Sequence, residues 1–383
     1  MVWGMPKNGM RRWTWSGSTV AAVLAMVLPL ALMGAWSPHF VGLLRPALTA
    51  QQVAGQRIIY SYSGLTPPTS LIQRIAEGEA AGVIFFGGNI SSEAQITSVI
   101  KQLVAANAKS PVKQPLLLMT DQEGGLVRRL PGAPVQSEKQ IGEAADPVAA
   151  ATAAGTGAGQ NLAGVGMNLN LAPVLDVFRT PGDFDDQYQR SYSSDPKMAG
   201  SLGQAFITAQ QQAGVAATAK HFPGLGAATA SENTDESPVS LNVSLSDLRN
   251  IDELPYTNAI AAGVKMVMVS WAIYPALDAT NPAGLSPAVV RGELRNRLGF
   301  TGVTVTDAIE AGALRNFGDD GNRAVLAAQA GMDLILASAQ DPGEGDAVET
   351  ALANAYTSGQ LNPDDFNAAV DRVAALRKSL GAG

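Results

Sequence analysis

Eight apolar, strand-like runs, each followed by a longer helix-like segment, constrain the fold of this chain more than any other feature. The runs lie at 57–63, 82–87, 115–121, 167–177, 215–222, 264–274, 302–308 and 332–338. They are apolar on both faces, which is typical of parallel strands covered by helices. Eight such units favour a closed (β/α)₈ barrel over an open, doubly wound sheet. We therefore predict an α/β fold with a single TIM-barrel domain over residues 51–383.

The first fifty residues have a different pattern. Lys7, Arg11 and Arg12 precede an uncharged apolar stretch from Thr19 to Ala35. A basic segment followed by an apolar run is typical of a secretory signal or a membrane anchor, and this run is at the short limit for crossing ~30 Å of hydrocarbon. We predict that residues 1–50 form a signal peptide or membrane anchor with a short linker. The protein is then exported, and is either extracellular or tethered to the outer face of the cytoplasmic membrane.

Composition excludes several classes of function. The chain has 26 basic and 33 acidic residues and a net charge of −7. An acidic body repels phosphate backbones, so nucleic acid is not an expected partner. There is no cysteine, which excludes disulfides, cysteine nucleophiles and thiolate metal sites. The only histidines are His39 and His221, so histidine-rich metal chemistry is excluded as well.

Charged side chains stand at the ends of several strand-like runs, where a barrel places its reactive groups. A charge that interrupts a buried apolar run is costly unless it is paired or functional. We therefore expect five residues to converge at one mouth of the barrel: Asp121, Asp176, Lys220, His221 and Asp307. Such a cluster suits a polyhydroxylated substrate and acid–base or nucleophilic chemistry. For Asp176 a structural ion pair is an equally good interpretation, and Glu123 is expected to be a buried bracing group.

Four motifs carry a resemblance to a known family. They are TDQEGG at 120–125 with Arg129 shortly after it, RSYSSDP at 190–196, KHFPG at 220–224 and VTDA at 305–308. Together, and in this order over residues 56–380, they resemble glycoside hydrolase family 3. The closest similarity is to its single-domain β-N-acetylglucosaminidase branch, which acts on cell-wall muropeptides and related glycosides. The resemblance implies a TIM barrel, a glycan substrate containing N-acetylglucosamine, and no metal or organic cofactor.

The resemblance also implies roles for individual residues. Asp307 matches the family nucleophile, which attacks the anomeric carbon and forms a covalent glycosyl-enzyme. A retaining glycosidase needs an ionised carboxylate on one face of the sugar and a proton donor on the other. The positions that match binders of the non-reducing-end sugar are Asp121, Arg129, Arg190, Lys220 and His221.

The sequence departs from the family pattern at the proton donor. In the N-acetylglucosaminidase branch, KHFPG is followed by a second histidine and then by an Asp-Ser-His triplet whose histidine is the acid/base. Here Leu225 replaces the second histidine, and residues 231–233 (Ser-Glu-Asn) occupy the triplet. A carboxyl group is the proton donor of most glycosidases. We rank Asp235 first as the replacement acid/base and Glu232 second, with Glu236 also in the loop.

We therefore predict an exported retaining glycoside hydrolase that removes terminal β-N-acetylglucosamine from cell-wall or chitin-derived glycans. Two alternatives stay open. One is a catalytically reduced glycan-binding protein on the same barrel, and the other is a broader β-glucosidase or a phosphorolytic enzyme. The presence of Asp307 favours an enzyme, because a protein that only binds glycans has no need of the nucleophile.

Overall fold

All eight predicted strands are present in the computed structural model, which describes residues 48–381. They are β1 (Ile58–Tyr60), β2 (Gly82–Ile84), β3 (Leu117–Thr120), β4 (Leu169–Asn170), β5 (Ala216–Phe222), β6 (Met266–Val269), β7 (Val303–Ala308) and β8 (Leu334–Leu336). Each strand pairs in parallel with its neighbours in the chain, and β8 pairs with β1, so the sheet closes. The predicted (β/α)₈ barrel is therefore confirmed.

The strands β4 and β6 end well before their apolar runs do. In the fourth run, the regular strand β4 ends at Asn170, although Ala172 and Pro173 still accept hydrogen bonds from β5 amides and Val174 bridges to Lys220. In the sixth run, β6 ends at Val269, and Ile273–Tyr274 pairs instead with Asp278–Pro282 as an antiparallel hairpin. A second hairpin, Gln122–Gly124 with Val127–Arg128, follows β3. Both hairpins lie on the side of the barrel to which the carboxyl ends of the strands point.

Helices lie between successive strands and after the last one. The α-helices span Ala50–Gly55, Thr69–Glu77, Glu93–Asn107, Glu138–Gly142, Pro147–Val165, Phe184–Gln187, Pro196–Gln212, Leu245–Asp247, Leu254–Ala261, Asp320–Ala330, Pro342–Thr357 and Pro363–Leu380. Short 3₁₀ turns lie at Gly87–Asn89, Ala283–Leu285 and Gly312–Leu314, and π-helical segments at Leu248–Asp252 and Ala288–Arg297. Local chemistry sets the helix starts, as where the Ser92 hydroxyl accepts a hydrogen bond from the Gln95 amide.

The apolar side chains of each strand divide between two layers, as the period of two requires. One layer lies between the strands and the helices and includes Val83, Leu118, Val267 and Ile335. The other fills the barrel interior with the alternate residues, such as Leu117, Met119, Met266, Val303 and Leu334. This packed interior forms the base on which residues at the carboxyl ends of the strands are held.

The predicted signal or anchor segment falls almost entirely on residues 1–47, outside the described residues. The first described helix begins at Ala50 and is capped by Thr49. Among residues 48–381, no helix is both long and apolar enough to cross a membrane.

Candidate active site

A pocket of about 370 Å³ opens where the carboxyl ends of the barrel strands meet, a size in the range of small-molecule sites. Its floor is the upper part of the barrel interior, and its walls are charged. Seven of the predicted site residues line it: Asp121, Arg129, Arg190, Lys220, His221, Asp235 and Asp307. Asp176 and the second acid/base candidate, Glu232, do not line it.

Lys220 lies at the centre of a chain of ion pairs on one wall of the pocket. Its Nζ lies 2.8 Å from Asp121 Oδ1 and 2.8 Å from Glu123 Oε1. The guanidinium of Arg190 donates to both carboxylate oxygens of Glu123, at 2.9 and 3.0 Å. This bidentate geometry fixes the orientation of Arg190. Lys220 and Glu123 are buried, whereas Asp121 and Arg190 keep part of their surface open to the pocket.

Glu123 holds this wall together in the way that the sequence predicts. Burial alone would raise the pKa of its carboxyl, but the charges of Arg190 and Lys220 outweigh burial and lower that pKa to about 2. Glu123 is therefore ionised throughout the physiological range. Its negative charge holds two cations in place, which leaves their remaining donors available for hydroxyl groups in the pocket.

His221 is oriented by Asp176 from below the pocket. Asp176 Oδ2 lies 2.7 Å from His221 Nδ1, and Asp176 Oδ1 accepts from the Leu225 amide at 2.6 Å. Burial would lower the pKa of His221, but the charge and the hydrogen bond of Asp176 outweigh burial and raise it. The structure thus supports the ion-pair interpretation of Asp176, whose function is to orient the imidazole that lines the pocket.

Asp185 lies beside this pair and completes a buried group of three. The ligand atoms of Asp176, Asp185 and His221 all lie within 4.8 Å of one another, the one arrangement among the described residues that could hold a metal ion. Most of its ligand atoms, however, already have partners within the group, in Leu225 or in Arg190, whose Nη1 lies 3.2 Å from Asp185 Oδ1. Asp185 Oδ2 has no hydrogen-bond partner among the described residues. Burial, followed by the charge of Asp176, raises the pKa of Asp185 to about 7. The group serves to position Arg190 and His221.

Asp307 occupies the end of β7, as predicted. Its Oδ1 accepts a hydrogen bond from the Ala308 amide at 2.8 Å. The Ala308 carbonyl in turn accepts from the buried indole of Trp271 at 2.8 Å. Among the described residues, the Asp307 carboxylate has no ion-pair partner within 4 Å. One oxygen of the carboxylate is therefore held by the neighbouring backbone amide, and the carboxylate is open to the pocket.

Asp235 faces the pocket from the loop that follows β5, and backbone contacts hold it there. The Gly312 amide donates to the Asp235 carbonyl at 2.8 Å, and the Ala313 amide donates to the Thr234 carbonyl at 3.0 Å. Gly312 comes five residues after Asp307, so the two loops that carry these carboxylates are bonded to each other. A Cβ at position 312 would lie 2.2 Å from the Glu236 carbonyl oxygen, and this close approach requires glycine.

The two acid/base candidates have different surroundings. Burial of its carboxyl at the pocket, followed by the negative charge of Asp307, raises the pKa of Asp235 to about 6. Glu232 instead accepts hydrogen bonds from the amide and hydroxyl of Thr229, at 2.8 and 2.9 Å, outside the pocket. Of the two candidates, Asp235 lines the pocket and Glu232 does not.

The pocket contains one carboxylate that no sequence motif indicated, Glu310. Glu310 lines the wall three residues after Asp307, and the Ser338 hydroxyl donates to its Oε1 at 2.9 Å. Burial, followed by the nearby charge of Glu310, raises the pKa of Glu344 to about 8. Glu310 Oε2 and Glu344 Oε1 have no hydrogen-bond partner among the described residues. The Glu344 carboxyl therefore carries a proton at neutral pH.

Comparison with known proteins shows which protein family this chain matches. The family model described as the glycosyl hydrolase family 3 N-terminal domain matches residues 60–376. A relative from Arthroderma benhamiae, whose name is uncharacterized secreted glycosyl hydrolase, is 46% identical over 331 residues. That alignment covers 86% of this chain and 93% of the relative.

Two solved structures share the barrel. A glycoside hydrolase family 3 β-N-acetylglucosaminidase from Paenibacillus sp. str. FPU-7 superposes with a TM-score of 0.82 at 35% identity. The match covers 88% of this chain but only 64% of that longer protein. A β-N-acetylhexosaminidase from Beutenbergia cavernae superposes with a TM-score of 0.77 at 32% identity, with 88% of this chain and 98% of that one covered.

Proposed function

The chain belongs to glycosyl hydrolase family 3, and on that premise we propose that it is a retaining β-N-acetylhexosaminidase. It removes terminal β-linked N-acetylglucosamine from cell-wall or chitin-derived glycans through a covalent glycosyl-aspartate. One observation carries the proposal. A single pocket combines the unpaired carboxylate Asp307, a second carboxyl with a raised pKa at Asp235, and a wall of fixed hydrogen-bond donors.

The fixed wall suits the sugar at the non-reducing end. Arg190, Lys220 and His221 present donors, and Asp121 presents acceptors, so vicinal hydroxyl groups can be bound in a defined orientation. Arg129 adds a further guanidinium, brought beside Asp121 by the hydrogen bond from its amide to the Asp121 carbonyl. Because Arg190, Lys220 and His221 are ion-paired before the substrate arrives, little ordering of these three is needed on binding.

The reaction begins with attack of Asp307 on the anomeric carbon while Asp235 donates its proton to the departing oxygen. Asp235 holds that proton partly because Asp307 is negatively charged. Once Asp307 is esterified by the sugar, its charge is gone and the pKa of Asp235 falls. Asp235 is then ready to accept a proton from the water that cleaves the ester. The two carboxyl groups thus alternate between acid and base within one cycle.

Export of the protein is part of the same proposal. The basic and apolar pattern of residues 1–50 supports it, as does the word secreted in the name of the Arthroderma relative. Export would place the pocket where cell-wall and chitin-derived glycans occur.

The proposal predicts a clear preference in a direct assay. Purified protein should release the aryl group faster from an aryl β-N-acetylglucosaminide than from the matching β-glucoside. The released sugar should be free N-acetylglucosamine by mass spectrometry, also when phosphate is added. A sugar phosphate as product would indicate phosphorolysis, and faster cleavage of the glucoside would indicate a β-glucosidase. Sugar binding without turnover of either substrate would favour the glycan-binding alternative.

The hydrogen bonds between the loops that carry Asp235 and Asp307 lead to a separate prediction at Gly312. In Gly312→Ala the added Cβ has to push away the backbone of the Asp235 loop, since the space is closed by the Glu236 carbonyl. We expect kcat for a natural disaccharide to fall by roughly 10²-fold, because small misplacements of a catalytic group have effects of that size. Cleavage of a dinitrophenyl glycoside, whose leaving group needs no proton, should fall far less.

A matched glycine provides the control. Gly164 lies on an exposed part of the helix Pro147–Val165, and no atom lies within 4 Å of a Cβ built there. Gly164→Ala should leave both activities as they are and slightly raise the unfolding temperature. Equal losses on the two substrates in Gly312→Ala would contradict a positioning role for this glycine.

A further inference from the structure

The rim of the pocket carries an aromatic pair that the mechanism above does not use. Phe184 begins the short helix Phe184–Gln187 and Tyr188 follows its last residue, with ring centroids 5.5 Å apart and planes at 74°. Phe184 lines the pocket, whereas Tyr188 is 47% exposed. The apolar surface of the pocket is therefore continued outward onto an open aromatic ring.

Hydrogen bonds join this helix to the loop that carries Asp235. The Phe184 amide donates to the Ala228 carbonyl at 2.9 Å, and the Gln187 side-chain amide donates to the Ala230 carbonyl at 2.8 Å. The same loop continues to Asp235, which is fixed by Gly312. The aromatic pair and the proposed proton donor thus belong to one connected rim.

A polar cleft of about 480 Å³ adjoins the outer end of the pair. The residues on either side of Tyr188, Gln187 and Gln189, both line it, together with Gln140 and Lys139. Amide side chains offer both donors and acceptors and so suit sugar hydroxyl groups. An aromatic ring suits the apolar C–H face of a pyranose in the same way that it suits other apolar surfaces.

We propose that Tyr188 and Phe184 form the subsite for the leaving-group sugar, and that the cleft beyond them binds the next sugar of an oligosaccharide. The inference rests on the proposed function, because it takes Asp235 as the proton donor. That donor must reach the oxygen between the two sugars, so the leaving sugar lies beside Asp235 and against the rim to which its loop is bonded. The substrate class is therefore a β-linked oligosaccharide of at least two or three sugars.

Binding of a sugar at this subsite can be measured in the transfer reaction, in which an added acceptor sugar captures the glycosyl group. After a glycosyl fluoride has transferred its sugar to Asp307 with loss of fluoride, either water or the acceptor attacks the anomeric carbon. The acceptor hydroxyl forms the new C–O bond, the ester bond to Asp307 breaks, and Asp235 takes the hydroxyl proton. The ratio of transfer product to free sugar, at a fixed concentration of added chitobiose, reports occupancy of the subsite by the acceptor.

Full-length wild type and Tyr188→Ala would be compared in this assay with N-acetylglucosaminyl fluoride as donor. We expect the transfer ratio to fall by roughly 5–10-fold in Tyr188→Ala, the size of effect that one aromatic stacking contact gives. Tyr188→Phe keeps the ring and should restore the wild-type ratio. Val104→Ala, which removes an exposed apolar side chain from the helix Glu93–Asn107, should leave the ratio unchanged.

Each remaining outcome decides against one part of the argument. An unchanged transfer ratio in Tyr188→Ala, or hydrolysis by the wild type without any transfer product, overturns the subsite while the proposed function stands. Failure of the wild type to release sugar from the fluoride overturns the proposed function and the subsite together. A lower unfolding temperature shared by Tyr188→Ala and Tyr188→Phe, with equal transfer ratios, would show a structural role only.

Discussion

Replacing Asp307 with alanine should abolish turnover of every glycoside, including those with activated leaving groups. The loss should be ~10⁴–10⁶-fold in kcat, the cost of removing a covalent nucleophile. Trapping by a 2-deoxy-2-fluoro glycoside should disappear as well, and mass spectrometry of the intact protein would show this directly. Sugar binding should persist, because Lys220 and His221 keep their partners Asp121 and Asp176. A rise in unfolding temperature with added N-acetylglucosamine would demonstrate that binding.

Glu310 offers the matched control for this experiment. It lines the same pocket three residues further along the same loop, so Glu310→Gln removes a carboxylate charge without removing Asp307. We expect trapping in Glu310→Gln to occur still, with the label on the peptide that contains Asp307. Label on any other carboxylate, or full trapping in Asp307→Ala, would contradict the assignment of the nucleophile.

The barrel could be predicted from sequence because its strands are buried on both faces. Such strands appear as continuous apolar runs, and all eight runs contain a strand of the barrel. Because an apolar run can continue beyond its strand, hydropathy does not show where the strand ends. Nothing in the apolar run 264–274 distinguishes β6 from Ile273–Tyr274, which leaves the barrel for a hairpin with Asp278–Pro282. Pairing partners, rather than hydropathy, decide that boundary.

Only part of the site could be predicted from the sequence, for a related reason. A charge at the end of an apolar run is visible locally, and this property identified Asp121, Lys220, His221 and Asp307. The effect of Glu310 on the pKa of Glu344 is not visible, because the two residues come from different loops and each is unremarkable alone. The bonding of Gly312 to Asp235 is hidden for the same reason. Contacts between loops depend on closure of the barrel, which brings successive loops to one rim.

Asp235→Ala should slow the cleavage of substrates with poor leaving groups far more than that of substrates with good ones. A general acid contributes ~10²–10⁴-fold where the leaving group is poor. Cleavage of natural disaccharides should therefore nearly cease, while glycosylation by a dinitrophenyl glycoside should continue, because that leaving group departs without a proton. The glycosyl-enzyme should then accumulate, since the base that activates water is also gone. Its mass, measured at steady state, would show the accumulation.

The same residue predicts the alkaline limit of activity. The pKa of Asp235 is raised to about 6, so the carboxyl carries its proton below that pH and loses it above. For a natural disaccharide, kcat/KM of the wild type should fall as pH rises through about 6, because the acid is then ionised in the free enzyme. For the dinitrophenyl glycoside this fall should be absent, and in Asp235→Ala neither substrate should show it.

Azide provides the decisive control for Asp235. As an anionic nucleophile it needs no base, so it should attack the accumulated glycosyl-enzyme of Asp235→Ala and speed turnover of the dinitrophenyl glycoside, with a glycosyl azide as product. Glu232→Ala should behave like wild type, because Glu232 is bonded to Thr229 outside the pocket. If Asp235→Ala instead slows both substrates equally and azide restores nothing, Asp235 is not the acid/base. Should Glu232→Ala and Glu236→Ala then also fail to separate the substrates, no carboxylate of this loop donates the proton, and a barrel that binds glycans without cleaving them becomes the better account.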